Sequence, residues 1–235
     1  MRLATKIAGA ALAVALLTAC GGFAYYRVQP GETLYSISWR YGADFRQVAR
    51  WNHLNPPYTI YEGQQLRILP PEDQAAEAAP PAPVPAPAVS NSAGAPAPVA
   101  TVPRAPAPAP IPLRWQWPAH GPLLQTFSVA DIARKGIDIG GNFGEAVHAA
   151  AAGKVVYAGG GLRHYGNLII LKHDDNYLSA YAYSRVLRVR EGDVVTAGQH
   201  IADMGGRGNS AMLHFEIRYD GRPVNPLNYL PAQGQ

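Results

Sequence analysis

The chain has 235 residues, 48% of them hydrophobic, with 20 Lys and Arg against 16 Asp and Glu. This length is enough for one or two domains. Without Arg2 and Lys6 of an N-terminal leader, 18 basic residues face 16 acidic ones, a net charge of about +2. That weak balance, with no basic run, excludes the nucleic-acid-binding class.

Residues 1–19 are typical of a secretion signal. Two basic residues precede an apolar stretch over 7–17, which is too short to span a bilayer as a permanent helix. Leu17-Thr18-Ala19-Cys20 has the pattern of a bacterial lipobox, and Cys20 is the only cysteine. An ordinary signal peptide with a chance cysteine is the alternative, but lipidation explains a lone thiol in an exported chain. We therefore predict cleavage after residue 19 and a lipidated N-terminus over residues 20–25.

The residues after Cys20 bear on which membrane holds the lipid. Gly21 and Gly22 follow the cysteine, where inner-membrane lipoproteins carry Asp. By resemblance to sorted bacterial lipoproteins, this favours an anchor in the outer membrane that faces the periplasm.

Residues 26–69 predict a small α+β module of the order strand, helix, helix, strand. Thr33 is expected to cap a helix over 34–41, and Asp44 a second helix over 45–51. Short strands are expected over 26–28 and 65–69. A Pro-rich loop over 52–61 separates the second helix from the last strand.

The same module contains the motif Tyr26-x-Val28-x-x-Gly31-Glu32-Thr33-Leu34-x-x-Ile37, then Asn52, then Gly63-Gln64-x-Leu66-x-Ile68. With this motif it resembles the LysM family, whose members bind N-acetylglucosamine-containing glycans such as peptidoglycan. The resemblance implies a glycan groove between the turn at 31–34 and the loop at 55–60; the alternative is that Leu34 and Ile60 are simply core residues. The implied glycan-binding residues are Gly31, Glu32, Thr33, Leu34, Asn55, Tyr58 and Ile60.

Residues 70–112 predict a linker. Of the 38 residues over 75–112, 14 are Ala and 12 are Pro, so this stretch cannot form a core. We expect a disordered or polyproline-like segment that reaches on the order of 100 Å when extended. It could tether an anchor to a working domain.

Residues 113–231 predict a second, mainly antiparallel β domain. Short runs rich in Val, Ile and Tyr alternate with Gly and Asn clusters, and no stretch keeps a helical period. The runs lie at 137–139, 147–149, 155–157, 167–171, 178–183, 186–189, 200–203 and 213–218.

Five segments of this domain form a recognisable pattern: Gly136-Ile137-Asp138-Ile139, Gly153-Lys154-Val155-Val156-Tyr157-Ala158-Gly159, Tyr181-Ala182, Leu213-His214-Phe215-Glu216-Ile217-Arg218 and Gly221-x-Pro223-Val224-Asn225-Pro226. With them the domain resembles the lysostaphin-like zinc peptidases, also called LytM domains. Active members bind zinc through a His, an Asp four residues later, and the second His of a His-x-His pair. The first His of that pair and a His in a Tyr-Ala-His segment assist the catalytic water.

Three of the five positions that carry this chemistry have changed. Asp138 and His214 remain as leftover ligand positions, whereas Arg134, Met212 and Tyr183 stand where active members have His. Two ligands seldom hold a catalytic zinc, Met cannot take a proton, and Tyr has a reference pKa of about 10. We expect no catalytic residues, no bound metal and no other cofactor. Arg134 is expected to pair with Asp138, and the five residues to line a groove that binds without cutting.

Lipobox, LysM module, linker and altered LytM domain together resemble the NlpD/EnvC-type murein hydrolase activators. The resemblance implies a non-catalytic activator of a periplasmic N-acetylmuramoyl-L-alanine amidase in septal peptidoglycan splitting and daughter-cell separation. The implied partners are that amidase, peptidoglycan and, through the lipid, the outer membrane. The alternatives are a structural link between outer membrane and peptidoglycan and, less favoured, a working zinc endopeptidase.

Overall fold

The computed structural model describes residues 25–71, 113–131 and 134–232. The predicted signal, the lipidated Cys20 and nearly all of the predicted linker lie outside these residues. Within them, no helix is long and apolar enough to cross a membrane.

The N-terminal module consists of β1 (Tyr25–Arg27), α1 (Leu34–Tyr41), α2 (Phe45–Trp51) and β2 (Gln65–Arg67), and β1 pairs antiparallel with β2. Both predicted helices are confirmed together with their caps. The Thr33 side chain accepts from the backbone N–H of Ser36 in a capping box, and Asp44 accepts from Arg46 and Gln47. The two helices close over a small core formed by Val28, Leu34, Ile37, Val48, Ala49, Leu66 and Ile68.

The C-terminal domain is an antiparallel sheet, as predicted. Its central strand order is β3-β4-β12-β8-β7-β6-β9; β10 pairs with β5 and β8, while β11 and β13 pair with β12. The strands are β3 (Leu123–Gln125), β4 (Ile137–Gly140), β5 (Ala146–His148), β6 (Gly153–Gly159), β7 (Asn167–Lys172), β8 (Tyr177–Leu187), β9 (Val194–Val195), β10 (His200–Met204), β11 (Gly206–Arg207), β12 (Ser210–Tyr219) and β13 (Arg222–Val224), followed by a 3-10 turn over Pro226–Asn228.

The two strands predicted over 178–183 and 186–189 are one strand, β8, which runs to Leu187. The strand bends at Tyr183, whose backbone φ of 61° is uncommon for a residue other than glycine. Before the bend β8 pairs with β12, and beyond it with β10. The prediction of two strands was wrong because the chain changes partners without leaving the sheet.

The sheet is buried on both faces. Alternating side chains of β7 point to opposite sides, so Ile169 and Leu171 enter one core while Leu168 and Ile170 enter another. The first core lies inside the C-terminal domain. The second core, here called the interdomain cluster, includes residues of the LysM-like module: Trp39, Phe45, Val156, Tyr157, Leu162, Leu168, Ile170, Leu178, Ala180 and Ala182.

Polar contacts surround the interdomain cluster. The Thr33 hydroxyl donates to the Val156 carbonyl at 3.0 Å, and Arg46 forms an ion pair with Asp220. At Gly221 a Cβ would lie 2.6 Å from the Cα of Asp44, so the turn before β13 fits against the N-cap of α2 only without a side chain. The module is thus packed on the sheet as an additional layer.

Candidate functional site

Strand β12 carries charged side chains on one face and apolar ones on the other. Phe215 and Ile217 are fully buried in the inner core. His214, Glu216 and Arg218 therefore point to the opposite face, toward the LysM-like module. They are 7%, 0% and 1% exposed, so this is a buried charged row, which is costly unless each charge is paired.

Each member of the row has a partner. His214 Nδ1 lies 2.6 Å from Asp138 Oδ1 on the neighbouring β4, and His214 Nε2 lies 3.2 Å from Glu216 Oε1. The Tyr165 hydroxyl donates to Glu216 Oε1 at 2.8 Å. Arg218 donates to Glu216 Oε2 from Nε and Nη2, at 3.2 and 3.1 Å. Charge alternates along the row, which stabilises it away from water.

The partners shift the titration of the row. Burial alone would lower the pKa of His214, but its hydrogen bonds with Asp138 and Glu216 raise it to about 9. Burial would raise the pKa of Glu216, but Arg218 and His214 hold it at about 2. Near neutral pH, His214 is therefore a cation and Glu216 an anion.

The far end of the row is sealed by the LysM-like module. The Arg218 guanidinium lies 3.6 Å from the centre of the Trp39 ring, and its Nη1 donates to the Trp39 carbonyl at 2.9 Å. Cation–π contact and a hydrogen bond thus join the row to α1. The buried Arg218 guanidinium therefore contacts both the sheet and the LysM-like module.

The near end of the row opens into a cavity of about 950 Å³ between the module and the sheet. The module supplies one wall, which includes the ion pair between Arg40 and Glu32. Lys135, Arg163 and Arg207 line the sheet side and form no ion pair with any described residue. The cavity therefore presents an excess of positive charge. Its aromatic lining consists of Tyr26, Tyr165 and Tyr183.

The structure brings together three of the five predicted groove residues. Asp138, Tyr183 and His214 line the cavity, and the rings of Tyr183 and His214 are 6.0 Å apart. Burial raises the pKa of Tyr183 above its usual value, so it remains a neutral phenol.

Arg134 and Met212 are placed differently from the prediction. The Arg134 guanidinium donates to the carbonyl and the hydroxyl of Thr126, both at 3.0 Å, while Asp138 is taken by His214. The expected ion pair between Arg134 and Asp138 is wrong. Neither Arg134 nor Met212 lines the cavity, and Met212 is only 6% exposed. Lys135, the next residue along the chain, takes the place expected of Arg134.

The side chains that remain do not fit a peptidase zinc site, which needs three protein ligands and an open position. Both ring nitrogens of His214 are engaged with carboxylates, one with Asp138 and the other with Glu216. Arg134 is turned away toward Thr126. Among the described residues, no three His, Cys, Asp or Glu side chains converge in a metal-binding group.

The predicted glycan-binding residues have different surroundings. Leu34 is 1% exposed in the core of the module, so the core interpretation holds for it, and Ile60 packs partly against the same core. Glu32 is held by Tyr26 and Arg40. Thr33 and Tyr58 lie at the interface with the sheet. Gly31 and Asn55 form the turns on either side, where Asn55 accepts from the Tyr58 N–H.

Several site residues were missed from sequence. Tyr165, Glu216 and Arg218 complete the buried row, and Lys135 and Arg207 line the cavity. The row had a detectable signal: three ionisable residues at alternate positions of an otherwise apolar strand share one face. The cavity-lining cations had none, since their proximity depends on the fold.

Comparison with known proteins assigns both domains. The profile of Peptidase family M23 matches residues 133–226, and that of the LysM domain matches residues 26–69. The lipoprotein NlpD/LppB homolog of Pseudomonas aeruginosa is 46% identical over 88% of this chain and 77% of its own length. The chain belongs to the NlpD lipoprotein family. The expectation of a LysM domain joined to a mainly antiparallel lysostaphin-like domain is confirmed.

Two further relatives come from Escherichia coli. The murein hydrolase activator NlpD is 39% identical over 88% of this chain and 68% of its own length. The uncharacterized lipoprotein YgeR is 39% identical over 89% of this chain and 82% of its own length. Relatives of this NlpD-family chain are thus named as activators and lipoproteins.

Proposed function

We propose that this chain is a non-catalytic murein hydrolase activator. It binds peptidoglycan through its LysM domain, residues 26–69, and stimulates a periplasmic N-acetylmuramoyl-L-alanine amidase through its M23 domain, residues 113–231. The amidase, with its own metal, cuts septal peptidoglycan and so allows daughter cells to separate. The names of the relatives and the two domain matches support this proposal.

The observation that carries it is the altered cleft. The fold of a peptidase is kept, but Asp138 and His214 are joined to Glu216 and Arg218 in a self-paired row. Tyr183 is a neutral phenol where a base would be needed. A cleft of this kind can hold a chain segment, and among the described residues no three His, Cys, Asp or Glu side chains converge to hold a metal that would activate water.

The cavity suggests what kind of segment it receives. Lys135, Arg163 and Arg207 provide cations without ion-pair partners, and three tyrosines provide apolar faces with hydroxyl groups. Electrostatic complementarity favours an amidase segment that carries carboxylates. Capture of an inhibitory segment would shift the amidase toward its open state, and a tenfold shift requires about 1.4 kcal/mol of differential binding.

The predicted location in the cell envelope belongs to the same proposal. Lipidation at Cys20 would anchor residues 20–25 in the outer membrane on its periplasmic side, and residues 70–112 would span toward the wall. The relatives named as lipoproteins support an anchor in the envelope. A purely structural link between membrane and wall is the alternative, and it predicts no effect on any amidase.

Dye-labelled peptidoglycan tests the proposal. The purified chain alone should release no dye, and it should speed release when an amidase of its own organism is added. Release by the chain alone that a chelator suppresses would establish a peptidase instead. Failure to stimulate any amidase would leave the structural link.

A further inference from the structure

The face of the LysM domain that the proposed function assigns to glycan contacts the sheet along one edge, while Gly31 and Asn55 on that face are exposed. The Thr33 hydroxyl, at the turn that begins the glycan groove, donates to the Val156 carbonyl at 3.0 Å. Tyr58, on the opposite lip of the groove, packs against Tyr35 and Phe45 beside the interdomain cluster. One lip of the groove therefore bonds directly to the M23 domain, and the other packs on Phe45, a LysM residue of the interdomain cluster.

A glycan and the sheet would both use the Thr33 hydroxyl as a hydrogen-bond donor. The hydroxyl has one proton, and it is directed to Val156, while its oxygen already accepts from the Ser36 N–H. A sugar that accepts the proton of the Thr33 hydroxyl would have to displace the Val156 carbonyl of β6. Thr33 cannot donate to both at once.

The covered state is a built interface. It buries Trp39 and Phe45 against apolar residues of the sheet, and it supplies Arg218 with the Trp39 ring and carbonyl. A second ion pair, between Arg46 and Asp220, closes one side. These contacts hold the LysM domain against the sheet in the absence of glycan.

The same movement would change the cleft. Tyr26, Gln29, Glu32 and Arg40 of the LysM domain form one wall of the cavity beside Asp138 and His214. If the LysM domain leaves the sheet, this wall leaves with it and the cleft opens. The predicted linker over 70–112 would allow separation while both domains remain in one chain.

We propose that peptidoglycan and the M23 sheet compete for one face of the LysM domain, so that glycan binding uncovers the amidase-binding cleft. This inference rests on the proposed function, because it needs a LysM domain that binds glycan and a cleft that receives an amidase segment. Glycan binding and the contact between the LysM domain and the sheet are thermodynamically coupled. A substitution that weakens the interdomain contact should therefore strengthen glycan binding. Binding to peptidoglycan then makes the chain able to activate the amidase.

The affinity test uses chitotetraose as the probe and calorimetry of the mature chain as the readout. Leu162→Glu places a charge in the interdomain cluster, where Leu162 is 2% exposed, and touches no residue of the LysM core. It should tighten chitotetraose binding by about 10-fold, because less of the binding energy is used to open the contact. Val194→Glu, at a position 78% exposed on the same domain, is the matched control and should bind like the unaltered chain.

A second measurement avoids a disruptive substitution. In a chain with Cys20→Ala, the variant Leu162→Cys carries one thiol, buried under the LysM domain. Saturating chitotetraose should accelerate its reaction with a maleimide by about 10-fold, since opening exposes the thiol. The same chain with Val129→Cys, at a position 91% exposed, should react rapidly with or without the sugar.

The outcomes separate the inference from the function on which it rests. If Leu162→Glu and the unaltered chain bind chitotetraose equally and the sugar leaves thiol labelling unchanged, competition is refuted while glycan binding stands. If neither folded chain binds the sugar, the proposed glycan function itself falls. Tighter binding together with faster labelling supports competition.

Discussion

Arg218→Met should destabilise the folded chain strongly, because Arg218 is paired at both ends and is 1% exposed. The substitution keeps the length of the side chain and removes its charge. Glu216, which is 0% exposed, then keeps His214 and Tyr165 but loses two hydrogen bonds from the guanidinium, and the Trp39 carbonyl loses its donor. Breaking a buried pair by removing one partner costs about 3–5 kcal/mol. That is a large part of the 5–15 kcal/mol that typically separates folded from unfolded states.

Urea unfolding measures this loss, with tryptophan emission and circular dichroism as two probes. Arg222→Met, on an exposed residue of the adjacent β13, is the matched control and should change the free energy of unfolding by less than about 0.5 kcal/mol. Adding Glu216→Gln to Arg218→Met should recover part of the loss, since the unpaired carboxylate is then gone. A loss below about 1 kcal/mol for Arg218→Met would refute the argument that the row depends on its buried pairing.

Three further predictions concern pH, metal and the cavity. Burial lowers the pKa of His173 to about 4 despite its hydrogen bond with Ala152, so below pH 6.5 the unfolded chain binds a proton that the folded chain does not. Stability should fall by about 1 to 3 kcal/mol as pH drops from 6.5 to 4, and His173→Asn should flatten that slope in urea titrations. Elemental analysis of the purified chain should find much less than one zinc per chain, and one tightly held equivalent would contradict the account of the cleft. Arg207→Glu should weaken amidase stimulation by about 10-fold and leave peptidoglycan binding unchanged, because a cation that faces the captured segment becomes an anion; equal stimulation would remove Arg207 from the site.

The elements that sequence predicted well are those fixed by local chemistry. Thr33 and Asp44 cap their helices with side chains that accept hydrogen bonds from backbone N–H groups of the first turn. Both helices therefore begin and end where expected. Apolar runs between glycines likewise located the long strands. The short strands β3, β9, β11 and β13 were missed. Strands of two or three residues carry little periodic signal, and β5, of similar length, was located only by its apolar run.

The site depended on contacts that no local pattern encodes. That Arg134, Tyr183 and Met212 stand at the predicted site positions was readable from sequence. The pairing of Asp138 with His214 on neighbouring strands was not, because Arg134 was expected as the partner of Asp138. The position of Arg134 was not, because Thr126 competes for its guanidinium.

The packing of the LysM domain was also beyond reach from sequence. The predicted linker suggested two independent units, whereas Trp39 and Arg218, 179 residues apart, share a buried contact. Contacts at that separation arise from tertiary packing alone.

We propose that this chain activates another enzyme and does not itself cut peptidoglycan. The most direct measurement is the initial rate at which a purified amidase of the same organism releases labelled fragments from peptidoglycan, with and without the mature chain. We expect the chain to raise that rate severalfold and to release nothing when the amidase is omitted. An unchanged amidase rate, or release by the chain alone, would contradict the account.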